Sequence, residues 1–368
     1  MYEVPIQENI AAQKSVSWPL TGGNRLASPV RKPSVPSFAA VVPSVPKPIH
    51  PEKAAKPPVD FLRLQGKYHL VSIPTYDGSY QLTHPKILYF ANKWNGYEYW
   101  MSMTPYPYER DIYENPSIVV SHDGKTWGLP VGGKNPVSGI PADSKQGGHY
   151  SDPQLVMKGN TMELWYRYNP SLPNKKKRRL PNNSVNIYYR KTSTDGVHWS
   201  QPEKLLESSD GHLSLCANHE DGVYKTWWAT YGGQLFYAQS WDAHNWSTPV
   251  ACTVPLPKGR QPYHQDLIRH NGEYYLLQTA EKVSNYTFSL FLLSSQDGIH
   301  FKNVQSIYPD VDMVNLKNVS LYRSTFFVKD DKMHFYISMI LPRLKWYIST
   351  TTVPLPNASE LPQHIQKL

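Results

Sequence analysis

The sequence has few of the features that mark several common protein classes. Its 368 residues include two cysteines, Cys216 and Cys252, which allow one disulfide and exclude both a disulfide framework and a cysteine-based metal site. No apolar run approaches the roughly 18 residues that span a bilayer. No basic-then-apolar leader follows Met1, and no stretch keeps a helical period. We therefore expect a soluble chain built from strands, with no membrane span.

The composition points to the kind of partner that this chain would bind. Aromatic residues make up 13% of the sequence, with 26 Tyr and 11 Trp, and rings of this kind are enriched in sheets. The formal charge of +9 favours an acidic partner, such as a phosphate-bearing polymer, an anionic glycan or a nucleic acid.

A seven-residue box of the form Ser-X-Asp-Gly-X-X-aromatic recurs along the chain. It occurs at 121–127, 193–199 and 295–301, and a variant without the glycine occurs at 240–246. In such a box the aspartate folds onto nearby backbone N–H groups and the glycine adopts the positive φ of a tight turn. Four boxes, each after a strand-like run, indicate a repeated supersecondary unit.

Five units of three or four strands repeat from about residue 61 onward, and the last unit lacks the box. Each has a hairpin turn at a matching place: Asn95-Gly96, Gly159-Asn160, Asp221-Gly222, Asn271-Gly272 and Asp330-Asp331. This pattern predicts an all-β fold, a five-bladed β-propeller, with a β-sandwich as the alternative. We expect residues 66–73 to supply the strand that completes the last blade.

The chain divides into two regions of different composition. Residues 1–60 are rich in proline, which favours extended chain and supplies no packed core. They are either a disordered tail or an arm that anchors the chain to another subunit. Residues 61–368 form the predicted propeller.

Aligning the units places one polar position in register on every predicted inner strand. It holds His84, Asp152, His212 and His264, with Ser324 in the fifth unit. Equivalent positions on inner strands converge on the central channel, so these side chains form a predicted ring. Three imidazoles and a carboxylate could bind a metal, a sugar or a phosphate, or they could satisfy one another in a water-filled channel. No cofactor is expected.

Two further groups are candidates for a site. Glu114, Asp152 and Asp266 are the carboxylates nearest the predicted channel, and paired carboxylates are what glycoside hydrolysis requires. A purely structural role beside turns is the alternative. The other group is a basic run in a predicted hairpin loop, which is either a solvated loop or a clamp for an anionic polymer: Lys175, Lys176, Lys177, Arg178 and Arg179.

The sequences around the first two units resemble known propellers. Thr83-His84-Pro85, the run 113–119 and Tyr150-Ser151-Asp152-Pro153 look like the family 43 glycosidases, and more specifically like the receptor-binding and tail-fibre proteins of phages. In that resemblance Asp152 matches a blade-start aspartate. His84 stands where the glycosidases have a catalytic base, which implies carbohydrate binding without cleavage.

The resemblance also implies a setting for the chain. It implies a virion protein of a phage tail, made in the host cytoplasm, whose propeller binds a cell-wall polysaccharide such as teichoic acid. Residues 1–60 would attach to other virion proteins, and a homo-oligomer is compatible with such a role. A glycosidase of the family 43 type and a purely structural virion component remain the alternatives.

Overall fold

The computed structural model describes residues 56–170, 185–208 and 212–356. Most of the predicted Pro-rich arm and the whole basic run 175–179 lie outside the described residues. No helix within these ranges is long and apolar enough to cross a membrane.

The predicted five-bladed β-propeller is confirmed. The strands of its antiparallel sheets, blade by blade, are β1 (Leu82–Trp94), β2 (Tyr97–Pro105) and β3 (Ser117–Ser121); β4 (His149–Lys158), β5 (Thr161–Asn169), β6 (Asn186–Ser193) and β7 (Glu203–Ser208); β8 (Leu213–Glu220), β9 (Val223–Ala229), β10 (Leu235–Ser240) and β11 (Val250–Ala251); β12 (Arg260–His270), β13 (Glu273–Lys282), β14 (Thr287–Ser295) and β15 (Lys302–Ile307); and β16 (Ser320–Leu321), β17 (Thr325–Lys329), β18 (Lys332–Leu341) and β19 (Lys345–Pro354). Strands β1, β4, β8, β12 and β17 contact one another in a ring around the axis.

The ring closes in a way that the sequence did not predict. Residues 66–73 do not form a strand, because a helix, α1 (Val59–Tyr68), occupies the first part of this segment. It follows Pro58 and ends at His69, whose φ of 47° is left-handed. After the helix, Leu70 forms an isolated antiparallel bridge with Ser349 of β19, and the Val71 N–H donates to the Ile348 carbonyl at 2.8 Å.

Helix α1 packs on blade 5 through its buried face. Phe61 and Tyr68 are buried in the same apolar cluster as Phe335 and Tyr347. Fully burying a side chain of this size stabilises a fold by about 1.5–3 kcal/mol. The helix therefore packs on an apolar cluster to which blades 4 and 5 both contribute.

In blades 1 and 4 a pair of facing apolar residues packs against the preceding blade. In blade 1 the pair is Met101 and Val119, which lies against Phe327 of blade 5. In blade 4 the pair is Leu276 and Leu293, which lies against Trp227 of blade 3. These apolar contacts hold adjacent sheets together, and the aromatic residue of each box joins them.

The four boxes are turns that follow the third strand of blades 1 to 4, as the repeat predicted. In the variant box the Asp242 carboxylate accepts the backbone N–H groups of His244 and Asn245 at 2.9 and 2.8 Å. Ala243 adopts a φ of 66° in place of glycine. In the second box a glycine is required, because a Cβ on Gly196 would lie 2.2 Å from the Trp100 ring.

We expect the variant box to make stability depend on pH. Hydrogen bonds from Asn245 and His244 lower the pKa of Asp242 below its ordinary value, so the turn stabilises the fold above the unfolded pKa of about 3.9 and loses that effect as pH falls. In Asp242→Asn, the difference in melting temperature between pH 7 and pH 3 should shrink. Asp331→Asn, in an exposed turn, is the control, and an equal change in both variants would contradict the prediction.

Candidate functional site

The inner strands are irregular at one level of the channel. In four of the five inner strands, the pairing with the neighbouring strand shifts register, at residues 84–85, 152–153, 214–215 and 263. His84, Asp152 and Ser214 have φ values of 53°, 50° and 48° there. A non-glycine residue in this left-handed region costs on the order of 1–3 kcal/mol, so the surrounding contacts must hold the ring in place.

The carboxylate of Asp152 lies at the centre of this ring and is paired with two guanidinium groups. Arg167 Nη2 lies 2.8 Å from Asp152 Oδ2, and Arg323 Nη1 donates to Oδ1 at 3.2 Å. Burial alone would raise the pKa of Asp152, but the positive charges around it, Arg167 first, hold that pKa well below its usual range. Asp152 is therefore ionised throughout the neutral range.

Two imidazoles and a hydroxyl complete the ring. Ser214 donates to Asp152 Oδ1 at 2.8 Å and lies 2.5 Å from His264 Nδ1. His84 Nε2 lies 3.4 Å from the same carboxylate. Burial lowers the pKa of His264 well below its ordinary value, so this imidazole is neutral. His264 Nδ1–H then donates to the serine, and Nε2 keeps a lone pair that has no hydrogen-bond partner.

A second carboxylate lies beside the ring, towards the beginning of the inner strands. Glu114 Oε1 lies 3.1 Å from His84 Nδ1, and Glu114 Oε2 lies 3.4 Å from His149 Nε2. The other nitrogen of His149, Nδ1, lies 3.1 Å from the Gly147 carbonyl, to which it donates. The two imidazoles thus share one carboxylate, and His149 is the more exposed of them, at 18%.

Aromatic rings cover the opposite side of the ring, on blades 4 and 5. Tyr322 lies 4.6 Å from His264 between centroids, 5.2 Å from Phe288 and 5.0 Å from Trp346. Tyr263 lies 4.5 Å from His264. Burial raises the pKa of Tyr263 to about 12 and that of Tyr322 well above its ordinary value, so both phenols keep their protons. The site has a charged wall and an aromatic wall.

A buried layer lies two residues further along the inner strands and closes the channel. Its members come from all five blades and are each at most 2% exposed: Lys86, Gln154, Cys216, Asp266 and Thr325. Lys86 Nζ donates to Asp266 Oδ1 at 2.6 Å, and Thr325 donates to Oδ2 at 2.7 Å. Burial raises the pKa of Cys216 to about 12, and Cys216 and Cys252 are both free.

The structure brings together three of the four residues of the predicted ring. Ligand atoms of His84, Asp152 and His264 all lie within 4.8 Å of one another. His212 lies outside the ring, because the alignment of the third unit was wrong by two residues and Ser214 holds that position. In blade 5 the ring is reached by Arg323, while the Ser324 hydroxyl donates to the Tyr322 carbonyl.

The three carboxylates that the sequence singled out have different surroundings. Glu114 and Asp152 both contact His84, whereas Asp266 lies in the buried layer below. Sequence reasoning missed His149, Ser214, Arg167 and Arg323. The sequence carried a signal for Arg167. If the residue pairing set by the hairpin turn Gly159-Asn160 is extended along its two strands, Arg167 lies opposite Asp152.

The fold and the site define the class of this protein as a five-bladed β-propeller with a polar site in its channel. No family model matches the sequence. The chain is 34% identical over 300 residues to an A type blood N-acetyl-alpha-D-galactosamine deacetylase of Flavonifractor plautii, across 67% of this chain. The chain spans 38% of the length of that relative.

Solved structures share the same fold. An N-acetylgalactosamine deacetylase from F. plautii, in complex with blood group B trisaccharide, superposes with a TM-score of 0.66 at 20% identity, covering 77% of this chain and 94% of that one. A thermostable family-43 glycoside hydrolase superposes with a TM-score of 0.53 at 12% identity, covering 74% and 89%. The predicted relation to the family 43 propellers is thus a similarity of fold.

We expect the buried layer to be essential for stability. Lys86→Met removes the cation and leaves Asp266 buried without its partner, which should lower the free energy of unfolding by about 3–5 kcal/mol. The matched control is Lys93→Met. Lys93 is 51% exposed and pairs with Glu98 at 3.3 Å, so its loss should cost about 1 kcal/mol or less. Urea denaturation measures both, and equal effects would refute this role of the layer.

Proposed function

We propose that this chain is a carbohydrate-active hydrolase that removes the acetyl group from an N-acetylated amino sugar. The observation that carries the proposal is the meeting of His84, Asp152 and His264 with Glu114 and His149 in one channel. Support comes from the sequence similarity to a protein described as an N-acetylgalactosamine deacetylase. Since the chain spans 38% of that relative, the activity is proposed here for the propeller.

The pairing of the carboxylates favours amide hydrolysis over glycoside hydrolysis. A glycosidase needs two carboxyl groups that are available to the substrate, one as acid and one as base or nucleophile. Asp266 is held by Lys86 in the buried layer. Asp152 is held by two guanidinium groups and a serine. Glu114 is therefore the one channel carboxylate of the predicted three that is left for proton transfer.

A divalent metal ion fits the ring. Two imidazoles and one carboxylate match the three protein ligands of catalytic zinc sites, which keep a fourth position open. His264 is neutral and Asp152 ionised, as metal binding requires, and His264 Nε2 is a buried atom without a partner. The metal would share Asp152 with Arg167 and Arg323. When bound, it would act as a Lewis acid towards the acetamide carbonyl.

The residues of this chain then have distinct roles in amide hydrolysis. Water adds to the acetamide carbonyl carbon, the C–N bond breaks, and the products are acetate and the amine. Glu114 accepts the proton from water, and His149 delivers a proton to the leaving nitrogen at the more exposed side. His84 contacts both Glu114 and Asp152, so it fixes the positions of the two carboxylates relative to each other.

The aromatic wall would hold the sugar. A pyranose has an apolar face that packs on aromatic rings and hydroxyls that bind to protonated phenols. Tyr263 and Tyr322 supply both features beside His264. With the sugar packed on the aromatic wall, its acetamido group would face the charged wall.

The earlier expectations of a binding function stay open. None of the relatives named above is a phage protein, and attachment to a virion and binding of a cell-wall polymer stay predictions. The family 43 alternative shares the carbohydrate chemistry of this proposal and differs from it in the bond that is cleaved.

The proposal predicts release of acetate from a methyl N-acetyl-α-galactosaminide or from an oligosaccharide that ends in this sugar. Glu114→Gln should lower kcat by about 10²–10⁴-fold, because an amide cannot accept the proton, and should keep the melting temperature within a few degrees. Asp221→Asn, a carboxylate that is 78% exposed in the turn between β8 and β9, is the matched control. Absence of acetate from every N-acetylated sugar tested would reject deacetylation, whereas release of a reducing sugar would favour the glycosidase.

The metal can be tested without an activity assay. Zn²⁺ or Mn²⁺ at 100 times its Kd should stabilise the folded state by about 2.7 kcal/mol, seen as a rise in melting temperature that EDTA reverses. His264→Gln should lose this rise, and His270→Gln, on the same strand outside the site, should keep it. No metal-dependent shift in the wild type would remove the metal from the mechanism and leave the deacetylase assay as a separate question.

A further inference from the structure

A cleft lies between blades 2 and 3, away from the polar ring. It has a volume of about 280 Å³, which corresponds to roughly nine water molecules at their liquid volume. Its lining includes Ser208, His212, Thr226, Trp228, Ala238 and Trp246.

The cleft lies where the facing pair of blade 3 has small side chains. Counted from the box serine, the facing residues of blade 3 are Thr226 and Ala238. Blade 4 has Leu276 and Leu293 at these positions, and both are buried against the preceding blade. The smaller pair of blade 3 leaves open a space that the two leucine side chains fill in blade 4. An unfilled space of this size would be costly in an apolar core, and a bound ligand would reduce that cost.

The walls of the cleft are aromatic, and its polar groups are few. The His212 ring stacks on Trp228 with centroids 4.6 Å apart and an interplanar angle of 9°. Trp246 donates its indole N–H to the Ala243 carbonyl at 3.1 Å, so its polar atom is already satisfied within the box. Glu207, Ser208 and His212 supply the polar groups. Apolar walls with a few placed polar groups are typical of small-ligand sites.

We propose that this cleft is a second, non-catalytic carbohydrate-binding site that takes one pyranose unit of a glycan. The apolar face of the sugar would pack on Trp246, and its hydroxyls would bind Glu207 and His212. The volume suits one monosaccharide rather than a longer chain. His212 thus acquires a role as a ligand-binding residue at a site other than the ring in which the sequence had placed it.

Filling the cleft tests the proposal. Thr226→Leu restores one residue of the blade 4 pair, and Ala238→Leu restores the other. The probe is methyl β-galactopyranoside, which has no acetamido group for the channel to hydrolyse, titrated calorimetrically into the full chain. We expect saturable binding of this probe by the wild type, at least tenfold weaker binding by Thr226→Leu, and a melting temperature that is unchanged or higher. Should Thr226→Leu fail to fold, Ala238→Leu provides the same test.

Two controls separate the cleft from the channel and from general surface binding. Glu114→Gln, beside the polar ring, should bind methyl β-galactopyranoside as the wild type does, so that binding in the cleft and acetate release are lost in different variants. Trp241→Ala removes a ring that is 74% exposed and lies outside the cleft, and it should also bind normally. Absence of saturable binding by the wild type would overturn the proposal, as would undiminished binding by a folded cleft-filling variant or its loss in Glu114→Gln.

Discussion

The carboxylate of Asp152 contacts a side chain from each of the other four blades of the propeller. His84 reaches it from blade 1, Ser214 from blade 3, His264 from blade 4 and Arg323 from blade 5. A closed ring of sheets has no central core element, and here a single buried anion connects the five inner strands. Removing one partner of such a buried pair typically costs about 3–5 kcal/mol. The same anion is a ligand in the proposed metal site, so the architecture and the chemistry share one group.

Much of the architecture could be predicted because the boxes mark equivalent places in successive units. A box requires a strand before it and an aromatic contact after it, so four boxes are enough to set the order of the strands. The ring was predictable where proline marks the irregular position, as in His84-Pro85 and Asp152-Pro153. Blade 3 has no proline there. The irregularity at Ser214 left no mark in the sequence, and the alignment chose His212 instead.

Other parts of the site depend on contacts that a repeat cannot reveal. Arg323 crosses the channel from an interrupted strand, and His149 precedes the aligned position by three residues. Neither has an equivalent in the other blades, so comparing units could not identify them. Helix α1 was missed for a related reason: it is short, and its stability comes from burying Phe61 against blade 5 rather than from a long amphipathic pattern.

The closed layer formed by Lys86, Asp266 and their neighbours makes the channel a recess with one mouth. A polymer cannot thread through it, and in the proposed reaction the substrate would enter and the products would leave by the same side. Such a recess accommodates the end of a glycan or a short branch, while the middle of a long chain would have to bend sharply to reach the ring. The buried layer would therefore favour terminal sugars over internal ones before any residue at the mouth contributes to selectivity.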